Sequence, residues 1–218
     1  FTFDSCILEN INGGLFVDFT VISTIEILNT TFYNSTLIIK QTNQNQKVSV
    51  NKCTFTNLTE QNGLYFDILI QSTSFTFNNN IMQNLIGKPT NRYFGIIKTP
   101  STDLEIEGMK FINNVCNFLY GGRFGIQFES IIDLSLIDCE FINNKAEQDN
   151  STNRMPAGSR YEYFNGDGEG IQIGFSDKIN SKISKLTFDR CNFEGNKAYR
   201  HGGGIAVQGV GEVHITEC

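Results

Sequence analysis

The stretch from Cys191 to Ile205, "CNFEGNKAYRHGGGI", decides how the chain is read. Its first half returns at Cys139 as "CEFINNKA" and at Cys53 as "CTFTNLTE". A catalytic motif rarely occurs several times in one chain, whereas a structural repeat must. Aligned on the cysteine position, the chain offers eight registers: Cys6, Thr30, Cys53, Phe75, Met109, Cys139, Cys191 and Cys218. They are separated by 24, 23, 22, 34, 30, 52 and 27 residues. Most are preceded by an alternating segment such as "IEILNT", "VSVNKC", "LSLIDC" or "LTFDRC", the period of a strand with one buried face. Two residues beyond the first seven stand Leu8, Phe32, Phe55, Phe77, Phe111, Phe141 and Phe193. An asparagine follows at the turn, and glycine then leads a second alternating segment, as in "GLYFDILI" from Gly63 and "GIQIGF" from Gly170. Self-similarity at this period denotes a solenoid.

The 218 residues include 19 Phe, no Trp and only 3 Pro, and β-branched residues abound, a balance that favours strands. No sustained 3.6-residue apolar stripe with caps appears. The expectation is an all-β fold, a right-handed parallel β-helix of about seven coils with insertions in the later ones. One domain spans 1–218, with inserted surface loops at 84–103 and 145–170. Inward Ile, Leu, Val and Phe of one rung stack on those of the next, about 4.8 Å away. Corner asparagine tolerates left-handed angles and bonds its neighbours above and below. A leucine-rich repeat is the rival, because "LSLIDCEF" matches its core. That repeat needs a helical second half, where this chain has glycine and alternating residues.

A net charge of -6 implies no attraction to nucleic acid. No apolar run approaches the roughly 20 residues that cross a bilayer, so no membrane insertion is expected within this segment. No C-x-x-C spacing or paired histidine suggests zinc, and no cofactor is expected. Five of the six cysteines share the repeat position, Cys116 being off register. Residues one rung apart are near enough for a disulfide and residues two rungs apart are not. Cys6 and Cys53, with Thr30 between them, should not pair; among Cys139, Cys191 and Cys218 at most one bond can form. The alternative is a ladder of buried small hydrophobes. N-glycosylation sequons stand at Asn29, Asn34, Asn57 and Asn150, of which Asn34 and Asn57 share one turn. If that turn faces solvent, glycans would line one ridge; if it faces inward, neither could be modified.

Phe193-x-x-Asn196-x-Ala198 followed by Gly202-Gly203-Gly204-Ile205 resembles the F-x-x-N and G-G-A-I repeat pair of chlamydial polymorphic membrane proteins, with Gly204 in place of the alanine. Phe141-x-x-Asn144-x-Ala146, Phe111-x-x-Asn114 and Phe77-x-x-Asn80 repeat the first half. Those proteins belong to the pectin-lyase-like parallel β-helices, and the resemblance implies a surface-exposed adhesin-like or scaffold rod.

Binding residues are expected on the insertions, since loops on a rigid scaffold carry function. Arg92, Tyr93, Tyr120, Arg123, Arg160, Tyr161, Tyr163, Tyr199 and Arg200 fall ahead of the second strand on four successive coils. They are expected to form a lengthwise strip in which tyrosine faces meet sugar rings and arginines meet acidic groups of a glycan. The blander alternative is that they cover the flank of the rod and pack the long loop onto it. A polysaccharide lyase or glycoside hydrolase of pectin-lyase-like fold is the second functional reading. Its carboxylates would be Glu162, Asp167 and Glu169, beside Arg200 and His201. A leucine-rich-repeat binding module is the third. Both ends lie in mid-rung, so the expectation is a slice of a longer rod or a subunit stacked end to end with neighbours. The first reading is a secreted or cell-surface structural rod, extracellular and glycosylated, acting in adhesion or as a scaffold or fibre, with an acidic polysaccharide or cell-surface glycan as its partner.

Overall fold

The computed structural model describes residues 1–11, 14–19, 24–41, 47–57, 66–69, 74–87, 95–98, 103–118, 126–129, 133–148, 171–173, 183–197, 205–207 and 210–218. These residues form strands and corners, with no helix among them. Every strand pairing is parallel and joins one coil to the next, which makes a parallel β-solenoid. The helical half that a leucine-rich repeat requires is replaced by strands.

Each coil runs through the same sides in order. The first side carries Thr2–Asp4, Thr24–Leu28, Lys47–Asn51 and Ser74–Thr76, then Asp103–Glu107, Asp133–Ile137, Ile183–Asp189 and Val210–Thr216. The second side is the longest unbroken ladder, with seven strands: Ile7–Glu9, Thr31–Tyr33, Thr54–Thr56, Ile81–Gln83, Lys110–Ile112, Glu140–Ile142 and Asn192–Glu194. A short ladder of Ile86–Gly87, Val115–Phe118 and Lys145–Gln148 follows in the upper coils. The third side carries Leu15–Phe19, Leu37–Gln41, Phe66–Leu69, Gly95–Lys98 and Ile126–Glu129, and separately Ile171–Ile173 with Ile205–Val207. The stretches 84–103 and 145–170, read from the sequence as surface loops, thus contain strands at Ile86–Gly87, Gly95–Lys98 and Lys145–Gln148.

In-register pairing turns the alternation of each strand into vertical columns. On the first side Ile25 stacks on Val48 and Phe75, and Leu104 on Leu134 and Leu186, all buried. On the second side the inward column is Leu8, Phe32, Phe55, Met82, Phe111, Phe141 and Phe193. Within it the rings of Phe32 and Phe55 lie 4.9 Å apart and 7° from parallel, and those of Phe141 and Phe193 4.9 Å and 10°. Each fully buried side chain contributes about 1.5–3 kcal/mol.

The register differs from the sequence alignment in the fourth coil. Phe75 belongs to the first side, opposite Val48, and the residue in the cysteine column is Asn80, since Ile81 N–H donates to the Cys53 carbonyl. Met82, not Phe77, therefore fills the phenylalanine column. The step from Cys53 becomes 27 residues, and the apparently long coil after it shortens accordingly. The misreading has a physical cause. An aromatic followed three residues later by asparagine suits either corner of the coil, and only backbone pairing tells the two apart.

Candidate functional site

Two corners flank the second side, and each is built from a residue pair. The first residue of the pair has left-handed backbone angles. At the corner before the second side these are Ser5, Asn29, Lys52, Asn79, Gly108, Asp138, Arg190 and Glu217, with φ between 48° and 66°. At the corner after it they are Asn10, Asn34, Asn57, Asn84, Asn113 and Asn143, with φ between 47° and 54°, and Gly195. Asparagine tolerates this region because its short amide bonds locally. Larger side chains such as Lys52 and Arg190 are held there by the ladder itself. Lys52 N–H donates to the Asn78 carbonyl of the next coil and Arg190 N–H to that of Thr216, both at 2.9 Å.

Most of the described second residues point inward, and several of them carry the repeated polar chemistry. After the second corner, Asn114 and Asn144 are fully buried. The Asn144 amide donates to the Phe111 carbonyl and to Asn196 Oδ1, both at 3.0 Å. Its own Oδ1 accepts from the Asn114 N–H and Nδ2, both at 3.1 Å. Asn196 repeats the donation to the Phe141 carbonyl at 2.7 Å. Ser35 performs a smaller version, its hydroxyl accepting the Ile11 N–H at 3.0 Å. The two tasks expected of one corner asparagine, turning left-handed and bonding along the stack, are thus divided between neighbours such as Asn143 and Asn144.

After the first corner the inward residues are Cys6, Thr30, Cys53, Asn80, Met109, Cys139, Cys191 and Cys218, one per coil and on one line. Their side chains reach backbone carbonyls: Asn80 Nδ2 to Val50 at 2.8 Å, Cys53 Sγ to Ile27 at 3.5 Å, and Cys191 Sγ to Leu136 at 3.3 Å. All five described thiols are free. Burial pushes the Cys53 thiol up to about 11. Cys191 differs, because its neighbours on the line are also thiols. The hydrogen bond from Cys139 lowers the Cys191 pKa, while the same contact and burial push Cys139 up.

The sequon asparagines Asn29, Asn34 and Asn57 all occupy left-handed corner positions rather than the buried ladder. Asn29 and Asn57 are exposed. Asn29 Nδ2 donates to Asp4 Oδ1 at 2.8 Å, which with Ser5 lowers the Asp4 pKa. Asn34 is half-buried and its amide donates to Asn10 Oδ1 at 2.8 Å. Asn150 lies outside the described residues.

So does the whole aromatic and cationic strip: Arg92, Tyr93, Tyr120, Arg123, Arg160, Tyr161, Tyr163, Tyr199 and Arg200. Glu162, Asp167, Glu169 and His201 are outside them too. The described surface holds a different feature. A groove of about 270 Å³ opens on the first side, lined by Asp103, Glu105, Asp133, Ser135, Lys185 and Thr187. The ladder sets Asp103 beside Asp133 and Asp133 beside Lys185. Sequence reasoning passed over these residues as the solvent half of alternating strands. Their only signal was that carboxylates recur at equal places in "DLEIE" and "DLSLI". No group of three metal-ligating side chains occurs among the described residues. Nor does any helix among them have the length and apolarity to cross a membrane. The parallel β-solenoid agrees with the architecture that the repeat resemblance implied. No family model, curated protein or solved structure matches this chain.

Proposed function

We propose that the chain is a length of extracellular or cell-surface rod that serves in adhesion or as a scaffold, akin to the pectin-lyase-like β-helices whose repeats it resembles. The observation that carries this reading is the stack of buried Asn114 and Asn144 with half-buried Asn196, in which these repeated polar groups bond along the rod. Repeats of that kind serve length and stiffness, leaving recognition to what the corners and loops display. The exposed corner asparagines Asn29 and Asn57 are the glycan carriers in this reading, and the tyrosine and arginine strip is the contact for an acidic polysaccharide.

The test has two arms. Secretory expression followed by glycosidase digestion and peptide mass spectrometry is expected to find sugar on Asn29 and Asn57. The secreted chain is also applied to immobilised acidic polysaccharides, alongside the double variant Tyr120→Ala, Tyr199→Ala. Loss of retention in the double variant supports the reading. Equal retention on every polymer removes the strip from it, and calcium-dependent release of unsaturated sugars would replace adhesion by lyase activity.

A further inference from the structure

The first-corner line brings three thiols onto consecutive coils, and nothing in the adhesion reading uses them. Glu140 pairs with Asn192 in register, so Cys139 and Cys191, one residue earlier on each strand, sit directly over each other. Parallel neighbours are about 4.8 Å apart at Cα, inside the range a disulfide spans. Two residues further on, the Phe141 and Phe193 rings stack at 4.9 Å, and Asn144 and Asn196 lock the next corner. The two coils are therefore held in register on both sides of the thiols. Cys191 and Cys139 are both buried, with Sγ–H bonds to Leu136 and Asp189, and to Ile106 and Ile137. Cys218 makes the equivalent contacts to the Phe188 and Thr216 carbonyls, and its Sγ also accepts the Cys191 N–H at 3.3 Å.

We propose that Cys139 and Cys191 are an oxidation site that closes into a disulfide, a staple between the two coils joined by the longest step along the line. The two cysteines are 52 residues apart in sequence, farther than any other successive pair on the line. This is where stacking must overcome the greatest loop-closure entropy, and where a covalent link restricts the unfolded chain most. The oxidant is a small-molecule disulfide. Cys191, as thiolate, attacks one of its sulfurs, and the departing small thiolate takes up a proton. Cys139 then loses its proton and attacks Cys191 Sγ, expelling the second small thiol. Two protein thiols are oxidised and one disulfide is reduced to two thiols. The lowered pKa of Cys191 suits it to the first attack, and the raised pKa of Cys139 keeps that thiol protonated until then. Cys53, between Thr30 and Asn80, has no thiol neighbour on the line.

The folded chain is incubated with oxidised glutathione, and remaining thiols are blocked with N-ethylmaleimide in acidic guanidinium. Digestion without reduction and mass spectrometry then read the linkage. The expected result is a Cys139 peptide joined to the Cys191 peptide, both in the natural chain and in Cys218→Ser, with Cys53 carrying maleimide. In the double variant Cys139→Ser, Cys218→Ser the cross-link is lost and Cys191 carries glutathione. Maleimide on both Cys139 and Cys191 in the natural chain, or Cys191 joined to Cys218, overturns the proposal.

Discussion

Asn143 and Asn144 are chemically identical neighbours, and the structure assigns them opposite sensitivities. Replacing Asn144 by alanine removes the two bonds its amide donates, to the Phe111 carbonyl and Asn196 Oδ1. It also removes the acceptor for the Asn114 N–H and Nδ2. The Asn114 side chain keeps its bond to the Met82 carbonyl at 2.9 Å. The Asn114 N–H, however, loses this partner in a fully buried part of the coil. Leaving a buried donor unsatisfied costs about 1–3 kcal/mol, so Asn144→Ala should destabilise by about 1–3 kcal/mol. For a chain of this length that lowers the thermal midpoint by roughly 2–4 °C per kcal/mol. Asn143→Gly should cost no more than a few tenths of a kcal/mol. Its φ of 53° suits glycine, its side chain is exposed, and Gly195 already occupies the same line one coil on. Urea and thermal unfolding followed by far-ultraviolet circular dichroism measure both variants. Equal midpoints for the two, or an Asn144→Ala midpoint matching the natural chain, would refute the inward ladder as a source of stability.

Three further outcomes follow from the same geometry. Phe141→Ala, which opens the ring stack between Phe111 and Phe193, should cost about 3–5 kcal/mol; the exposed Phe16→Ala should stay within about 0.5 kcal/mol. Gly108→Ala should destabilise by more than about 1 kcal/mol in urea unfolding, because φ there is 66° and Asn79 Oδ1 occupies the place of a Cβ. The Asp4 and Asp138 pKa values are lowered, the first by the Asn29 and Ser5 hydrogen bonds and the second by that of Arg190. Their stabilisation is therefore complete above the unfolded carboxylate value of about 4 and disappears as pH falls through the lower folded values. Thermal midpoints should drop below that pH, and Asp138→Asn should flatten the drop.

The sequence by itself determined the class of fold and most of its columns. Alternating segments before Cys139 and Cys191 dictate which side chains face inward, and the spacing of Phe111, Phe141 and Phe193 dictates that they stack. Both signals are local, one a period of two residues and the other a motif at fixed offset. The fourth coil shows where local reading stops. Phe77-x-x-Asn80 has the same letters as Phe111-x-x-Asn114, yet Asn80 belongs to the thiol line and Asn114 to the amide ladder. Registration depends on which carbonyl of a neighbouring coil accepts each N–H, and the Cys53 carbonyl that accepts the Ile81 N–H lies 28 residues away, beyond any local pattern. The same holds for the polar groove of Asp103, Asp133 and Lys185, which no motif joins, whereas the thiol neighbours of Cys191 were legible from the repeat. Which chemical groups meet across coils was decided only when the backbone hydrogen bonds chose one register from several that the alternation allowed.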